Sequence, residues 1–270
     1  MEHESVVVLG DSHIGWEEAN VEEFEEFITD EIYRLDPDAL VLNGDIVELW
    51  RSSFSSVMVN YGYIFNLLTD VSKEGIKIVP IAGNHDWRLI ETGRTPVTDT
   101  QDVWDYREHY EFESGGEKFI ATHGHEADSL NRSRAQNNAL CMTSDDTGSL
   151  MSTTGDKITN APALGSVINR RAVFNPQTRA VTARDGPLIQ RPSFRAISHV
   201  NNPAALAESK NDGRYERIVQ ILTGLYDRTV LAGHTHRKDN RENYYNPGSW
   251  AGSQTGYLYI EDGKVENRSY

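Results

Sequence analysis

The chain has 270 residues, of which 38% are hydrophobic and 25% are charged. This composition is typical of a globular protein and excludes a chain that is disordered throughout. No stretch approaches the ~18 consecutive apolar residues of a membrane-spanning helix. The single cysteine, Cys141, excludes an intrachain disulfide and a zinc site built from several thiolates. No basic region precedes the first apolar run, so we expect no cleaved signal peptide, a cytoplasmic location and no membrane partner.

Acidic residues outnumber basic residues by 41 to 26, which gives a net charge of −15. Only seven of the basic residues are lysines. Such a composition fits a host adapted to high salt, where ions screen the repulsion, and equally an ordinary acidic protein. Residues 126–215 differ, because they contain 11 basic and 8 acidic side chains. We expect this locally basic segment to be a binding region for an anionic substrate.

The first part of the chain alternates between short apolar runs and segments with apolar residues at helical spacing. Apolar runs bounded by polar residues predict buried strands, and the helical spacing predicts amphipathic helices. Their alternation indicates parallel strands that are joined by crossover helices. The predicted elements are strands at Val6–Leu9, Ala39–Leu42 and Ile76–Ile81 and helices over residues 20–35 and about 57–73.

The pattern of strands and helices weakens after a further predicted strand at Lys118–Thr122. We predict a single domain over residues 1–270, with an insert or cap at about 126–211. Within the insert, Pro203 favours the start of a short helix that reaches Glu208. The elements predicted after the insert are a helix that follows Asp212 as its N-cap and strands at Thr229–Ala232, Tyr257–Ile260 and Val265–Tyr270.

Side chains that can bind a metal ion directly follow five of the predicted strands. The carboxyl ends of parallel strands meet at one edge of a sheet, so these side chains should lie close together. Two of the blocks contain pairs with a spacing of two residues, which an extended chain directs to the same side. The seven candidate ligands are Asp11, His13, Asp45, Asn84, His123, His234 and His236.

Seven candidate ligands exceed what one ion needs, so we predict two divalent metal ions that share a bridging carboxylate. Asp45, which stands alone at the end of its strand, is the natural bridge. Imidazole and oxygen ligands without thiolate suit manganese, iron, zinc or nickel, and of these we expect manganese, with the other three as alternatives. Two such ions ~3.5–4 Å apart clamp the attacking and leaving oxygens of a phosphoryl transfer. The nucleophile implied is a metal-bound hydroxide.

The order of these blocks along the chain resembles that of the calcineurin-like metallophosphoesterase superfamily. Any one block is a weak signal, whereas five in order after predicted strands are specific. The resemblance implies an α/β fold, a four-layer α-β-β-α sandwich with two mixed β-sheets and a metal site at the strand C-terminal ends. The blocks are Asp11-Ser12-His13, Gly44-Asp45, Gly83-Asn84-His85-Asp86, His123-Gly124 and Gly233-His234-Thr235-His236.

The same resemblance implies a role for each residue of the blocks. His85 would act at the leaving oxygen as general acid or transition-state stabiliser, and Asp86 would orient it. Asp45 would bridge the ions. The other ligands of the first ion would be Asp11, His13 and His236, and those of the second Asn84, His123 and His234.

Residues 44–50, together with an insert between His123 and His234, are similar to the UDP-2,3-diacylglucosamine pyrophosphohydrolase branch. His85 departs from that branch, which often has arginine there, and the insert lacks apolar helices that would hold acyl chains. We therefore predict hydrolysis of a phosphomonoester or phosphodiester by a metal-bridging hydroxide, with a phosphorylated small molecule or nucleotide as substrate. The alternatives are a DNA or RNA nuclease, for which the net negative charge is unfavourable, and a non-catalytic metal-stabilised scaffold that binds a protein.

Several side chains near the blocks have two interpretations. His125 either orients a ligand or is a turn residue. Residues 246–250 predict a tight turn, which closes the rim of the site in relatives. The arginines that either bind phosphate or carry solvated charge are Arg132, Arg134, Arg170 and Arg171. The tryptophans that we expect to pack in the core, rather than to stack on a base, are Trp50, Trp87 and Trp104.

Overall fold

Ten β-strands in two mixed sheets form the centre of the part of the chain that the structure, a computed structural model, describes. The described residues are 1–92, 105–128, 131, 133–147 and 212–270. The strands are β1 Ser5–Leu9, β2 Ala39–Asn43, β3 Lys77–Ile81, β4 His109–Ser114, β5 Glu117–Thr122, β6 Thr229–Ala232, β7 Asp239–Arg241, β8 Tyr244–Asn246, β9 Gly256–Glu261 and β10 Lys264–Ser269. The helical elements are α1 Val21–Glu26, a π-helical segment Phe27–Glu31, α2 Ile32–Leu35, α3 Phe54–Lys73, α4 Arg88–Thr92, a 3-10 turn His125–Ala127, α5 Arg134–Thr147 and α6 Asp212–Leu225.

Each sheet combines parallel and antiparallel strands. Sheet 1 has the order β10-β9-β1-β2-β3, in which β1, β2 and β3 are parallel and β9 and β10 are antiparallel to their neighbours. Sheet 2 has the order β4-β5-β6-β8-β7, in which β5, β6 and β8 are parallel. The parallel strands direct their carboxyl ends to one edge of each sheet, where the blocks with the predicted ligands follow.

Alternating side chains place the two sheets face to face between outer helices. Val6 and Val8 of β1 lie in a cluster with side chains of sheet 2, so this face of sheet 1 packs against sheet 2. Val7, between them, belongs to the cluster that the helices α1 and α3 form with the opposite face. Ile120 of β5 and Leu222 of α6 share a third cluster outside sheet 2. The predicted four-layer sandwich with two mixed sheets is confirmed.

The strands and helices predicted outside the insert are all present; β6 has the predicted bounds, and most of the others have shifted ends. Helix α3 begins earlier than predicted, at Phe54, because the hydroxyl of Ser53 caps the amide of Ser56. The predicted helix over residues 20–35 includes a π-helical segment, and it ends where Asp36 takes a left-handed conformation before Pro37. Asp212 is the first residue of α6, whereas the sequence analysis made it the N-cap.

Three strands and two helices in the described part of the chain were not predicted from the sequence. Strand β4 pairs with β5 across Gly115 and Gly116, both with positive φ. Strands β7 and β8 have three residues each, too few to show a period. Helix α5 lies within the predicted insert, and its apolar residues are too few for a clear stripe. The helix predicted over 203–208 and the rest of the insert from 148 to 211 lie outside the described residues.

Two glycines allow the loops that follow neighbouring strands to approach each other closely. A Cβ atom on Gly44 would overlap the imidazole ring of His123, and Gly44 has a φ of +84°. A Cβ atom on Gly83 would overlap the carboxylate of Asp45. Side chains from both sheets can therefore meet at the strand ends. Within the described part of the chain, no helix combines the length and the apolar character that crossing a bilayer requires.

Candidate metal centre

Backbone strain is concentrated at the predicted ligands. Among the described residues, seven non-glycine residues have a positive φ, and five of them are predicted ligands. Such a conformation is uncommon outside glycine, and it persists only where the surrounding structure enforces it. The sharp turns after the strands therefore aim side chains into one region, as functional sites often require. The five are Asp11, His13, Asp45, His234 and His236.

One group of ligand atoms forms between the end of β1 and the loop after β6. The Nε2 atom of His236 lies 3.2 Å from Oδ1 of Asp11. The Nε2 atoms of His13 and His236 are 3.0 Å apart. Both oxygens of Asp11 also accept hydrogen bonds from the backbone amide of His234, at 3.1 and 2.9 Å, which fixes the carboxylate in position. These three side chains could hold one ion.

A second group of ligand atoms forms between the ends of β2, β3 and β5. The Nε2 atom of His123 lies 3.2 Å from Oδ2 of Asp45 and 3.2 Å from Oδ1 of Asn84. A ligand atom of His234 lies within 4.8 Å of the ligand atoms of Asp45 and His123. All four residues come from blocks that are distant in the sequence. This group could hold a second ion.

Asp45 connects the two groups through one oxygen atom. Its Oδ2 lies 3.9 Å from Nε2 of His13 in the first group and 3.2 Å from Nε2 of His123 in the second. Its Oδ1 accepts a hydrogen bond of 2.7 Å from the backbone amide of His85. Oδ2 is thus the oxygen that faces both groups, and a carboxylate can bridge two ions through a single oxygen in this way.

The protonation of the imidazoles tests whether the donor set fits a cation. Nδ1 of His123 lies 3.0 Å from the carbonyl oxygen of Asn43, which can only accept, so Nδ1 carries the proton. Nδ1 of His13 lies 3.0 Å from the carboxylate of Glu48, so Nδ1 carries the proton in His13 as well. In the neutral rings the lone pairs therefore sit on the two Nε2 atoms, which point toward Asp45. Lone pairs and carboxylate oxygens that converge in this way fit a divalent ion.

The electrostatics of His123 support the same conclusion. Burial alone would lower the pKa of its imidazole, but Asp45 and Asp11 raise this pKa to about 10 in the metal-free chain. A proton then occupies the position in which a cation would neutralise the carboxylates. We therefore expect a metal ion to displace protons when it binds, as in other sites where ligands must deprotonate.

His85 lies beside the centre, and Glu48 rather than Asp86 orients it. Nδ1 of His85 is 2.8 Å from Oε1 of Glu48, and its ring stacks on Trp50 with 3.9 Å between centroids. The carboxylate of Asp86 instead accepts from the backbone amides of Gly83, at 2.6 Å, and Ile46, at 2.8 Å. The predicted contact between Asp86 and His85 is therefore wrong. Two backbone donors hold Asp86, and it joins the loops after β2 and β3.

Glu48 is a residue of the site that the sequence analysis did not assign. It is fully buried, and Oε2 accepts from Nδ1 of His13 at 3.0 Å and from Arg51 at 2.6 Å. Burial would raise its pKa, but the neighbouring charges of His85 and His13 and their hydrogen bonds lower it. An ionised Glu48 therefore holds a predicted ligand and His85 in fixed orientations. Its only signal in the sequence is its place three residues after Asp45.

Replacement of Glu48 by glutamine should weaken Mn²⁺ binding by about 10–100-fold, the usual loss when the partner of a ligating histidine is removed. The amide cannot accept from both imidazoles and from Arg51 as a carboxylate does. A titration of the metal-free chain with Mn²⁺ measures the change. Glu31→Gln is the matched control, because Glu31 also binds an arginine three residues later, Arg34, away from the centre. Equal Mn²⁺ affinity in the two variants would contradict this role of Glu48.

The remaining predicted side chains differ in their surroundings. His125 is buried, and its ring centroid lies 5.4 Å from that of His123 and 5.4 Å from that of Trp87. Trp50 and Trp87 are buried in the core, as predicted. Arg134 pairs with Glu108. Predicted residues outside the described part of the chain are Arg132, Arg170, Arg171 and Trp104.

The run at residues 246–250 supports the loop that carries two of the predicted ligands. The amide nitrogen of Asn246 donates to the carbonyl oxygen of Gly233, at 2.8 Å, and to the hydroxyl of Thr235, at 3.1 Å. The backbone amide of Trp250 donates to the carbonyl oxygen of Asp11, at 3.0 Å. The turn at Gly248, with φ of +92°, brings these contacts together. The run therefore holds the blocks after β1 and β6 in register.

Comparison with known proteins identifies the family. A model of the calcineurin-like phosphoesterase family matches residues 5–238, which is more than half of the chain. No curated protein matches the sequence. A predicted phosphoesterase from Streptococcus pneumoniae TIGR4, known from its crystal structure, is 16% identical over 100% of this chain and 99% of its own, with a TM-score of 0.33. Vacuolar Protein Sorting 29 from Cryptosporidium parvum is 12% identical over 99% of this chain and 97% of its own, with a TM-score of 0.38. On the family match, the chain belongs to the calcineurin-like phosphoesterases.

Proposed function

We propose that the protein is a dinuclear metal-dependent phosphoesterase that hydrolyses a phosphomonoester or phosphodiester. The observation that supports this most directly is the position of Asp45, whose Oδ2 faces both groups of ligand atoms, 3.9 Å from His13 and 3.2 Å from His123. Two divalent ions, for which we favour manganese, would polarise the phosphoryl oxygens and lower the pKa of a water molecule. The first would be held by Asp11, His13, Asp45 and His236, and the second by Asp45, Asn84, His123 and His234.

His85 is the residue that we assign to the leaving oxygen. Its side chain is 13% exposed, so a substrate can reach it, whereas the ligands His13 and His123 are almost fully buried. Because Nδ1 donates to Glu48, the opposite nitrogen Nε2 is the one that can serve a substrate oxygen. Burial lowers the pKa of His85, but Glu48 and Asp45 raise it above its ordinary value. In the metal-free chain the protonated form of His85 is therefore favoured, and a proton on Nε2 is what a general acid has to supply.

The substrate that we propose is a phosphorylated small molecule or a nucleotide. A metal centre with carboxylate and imidazole ligands recognises the phosphoryl group itself and leaves the rest of the substrate to other residues. The net charge of −15 opposes the phosphate neutralisation on which tight, sequence-independent nucleic-acid binding depends. Cleavage of DNA or RNA is therefore the second candidate.

Hydrolysis of two chromogenic esters tests the proposal. We expect the chain to hydrolyse bis-p-nitrophenyl phosphate or p-nitrophenyl phosphate in the presence of Mn²⁺, and to lose this activity with a chelator. The Asp45→Asn variant is the blank at both low and high salt. Preference for the diester would direct further work to nucleotides and nucleic acids, and preference for the monoester would eliminate the nuclease. Absence of metal-dependent hydrolysis of both esters would contradict the proposed function and favour a non-catalytic scaffold.

A further inference from the structure

A buried carboxylate, that of Asp128, contacts the imidazole of His234. Asp128 is 1% exposed, and its Oδ2 is 2.9 Å from Nε2 of His234. The same carboxylate accepts from Nε of Arg214 at 3.1 Å, from Nη2 of Arg214, and from Nδ2 of Asn131 at 3.0 Å. Neither Asp128 nor Arg214 belongs to any of the five metal-binding blocks.

The hydrogen bond to Asp128 determines which nitrogen of His234 can bind a metal ion. Arg214 donates to both oxygens of Asp128 and Asn131 donates to Oδ2, so the group is held as a carboxylate that only accepts. Nε2 of His234 must then carry the proton and donate it to Asp128. In the neutral ring the lone pair then lies on Nδ1, which leaves that nitrogen to bind an ion. A ligand atom of His234 lies within 4.8 Å of those of Asp45 and His123. Carboxylates that accept from ligating histidines in this way raise the basicity of the ligand and fix its ring.

Arg214 joins this contact from a distant part of the chain. It lies in the first turn of α6, 86 residues after Asp128 in the sequence. Two guanidinium nitrogens bind the two carboxylate oxygens, the paired arrangement in which arginine holds a carboxylate in one orientation. Asp128 follows the block with His123, and Arg214 precedes the block with His234. The pair therefore links the chain before residues 129–211 to the chain after them. Asp128 of this pair contacts the predicted ligand His234.

We propose that Asp128 is a positioning residue for the second metal ion, and that Arg214 acts through it. Asp128 holds His234 with Nδ1 directed at the ion, and Arg214 holds Asp128. This inference rests on the assignment of His234 as a ligand under the proposed function. It adds two residues that determine the affinity for metal without touching it.

Titration of the full metal-free chain with Mn²⁺ tests the inference, with bound metal rather than activity as the readout. We expect Asp128→Ala to weaken the binding of one of two ions by about 10–100-fold, the usual loss for the partner of a ligating histidine. Asp128→Asn, which keeps one acceptor for Nε2 of His234, should recover part of this affinity. Arg214→Ala should lose several-fold, and it should have no further effect in the Asp128→Ala background, because Arg214 acts only through Asp128.

Arg241→Ala is the matched control. Arg241 also forms a paired contact with a carboxylate, that of Glu216 on α6, at 2.7 and 2.6 Å, and it is about as exposed as Arg214. It contacts no predicted ligand, so its loss should lower the thermal midpoint at most and leave Mn²⁺ affinity unchanged. The side chain of Arg214 is 36% exposed, so we expect Arg214→Ala to fold. This variant therefore tests the inference even if Asp128→Ala does not fold.

The outcomes separate this inference from the function on which it rests. Two ions in the wild type, with unchanged Mn²⁺ affinity in folded Asp128→Asn and Arg214→Ala, would overturn the inference and leave the proposed function intact. Equal losses in Arg214→Ala and Arg241→Ala would also overturn it, because they would indicate a general effect of lost ion pairs. No Mn²⁺ binding in the wild type would overturn both.

Discussion

The variant Asp45→Asn should lose roughly 10³-fold of its metal-supported hydrolysis, the largest loss of any single ligand change. Loss of a hydrogen-bonding partner of a ligand already costs about 10–100-fold in metal affinity or activity. Asp45 would be a ligand of two ions, so the losses for the two ions multiply. The geometry makes asparagine a poor substitute. Its amide oxygen would remain on the backbone N–H of His85, which needs an acceptor. The NH₂ group would then face His13 and His123, where a cation has to bind.

Rates with p-nitrophenyl esters at saturating Mn²⁺ measure this effect. Asp239→Asn is the matched control, because it makes the same change at a carboxylate that binds Tyr215 and Arg241 away from the centre. Ser12→Ala is a second control within the first block, since its hydroxyl donates to the backbone oxygen of Ile46 and not to a ligand. A loss in Asp45→Asn no greater than in these controls would rule out the bridge.

The variant His85→Ala should keep its metal ions and lose about 10²- to 10⁴-fold of its turnover on esters with poor leaving groups, the range for general acid catalysis. Esters of p-nitrophenol should suffer less, because p-nitrophenolate leaves without protonation. The contact from His85 to Asp45 comes from the backbone amide, which alanine retains. Glu48 also keeps its contacts with His13 and Arg51. The metal ligands therefore remain in place.

Turnover on an alkyl ester and on a p-nitrophenyl ester, together with metal content by elemental analysis, separates the two roles open to His85. Its imidazole lies in a group with His13 and Asp45 whose ligand atoms are within 4.8 Å of one another, so it could also bind a metal ion. His109→Ala, at an exposed position on β4, is the control for loss of an imidazole. Loss of metal in His85→Ala would show that His85 is a ligand. An equal effect on both esters would contradict the general acid.

The sequence predicts which side chains converge because they follow the ends of predicted strands. Asp11, Asp45 and His123 each come directly after an apolar run, and parallel strands bring such residues to one edge. Asp45 could be chosen as the bridge because no other candidate ligand follows its strand. The structure brings all seven candidates together, and their assignment to ions remains a proposal. The parallel strands β1, β2 and β3 of sheet 1 were predicted because apolar runs alternate with helical segments in this part of the chain.

Contacts within loops were beyond prediction, since they depend on how the turns fold. Asp86 is next to His85 in its block, whereas Glu48 is 37 residues away, and only the three-dimensional path shows that Glu48 reaches Nδ1 of His85. Asp128 and Arg214 are 86 residues apart, and no spacing rule connects them. Strands β7 and β8 were missed because three residues show no period. The order of sheet 2 therefore could not be derived from the sequence alone.

The number of Mn²⁺ ions that the chain binds is the most direct test of a dinuclear centre, because a carboxylate shared between ions requires two of them. Equilibrium dialysis of the metal-free protein, followed by elemental analysis, measures it for the wild type and for Asp45→Asn. We expect two ions per wild-type chain, hydrolysis that appears as the second ion binds, and weakened binding of both ions in the variant. One ion per chain, or two ions with unchanged affinity in Asp45→Asn, would contradict a dinuclear centre bridged by Asp45.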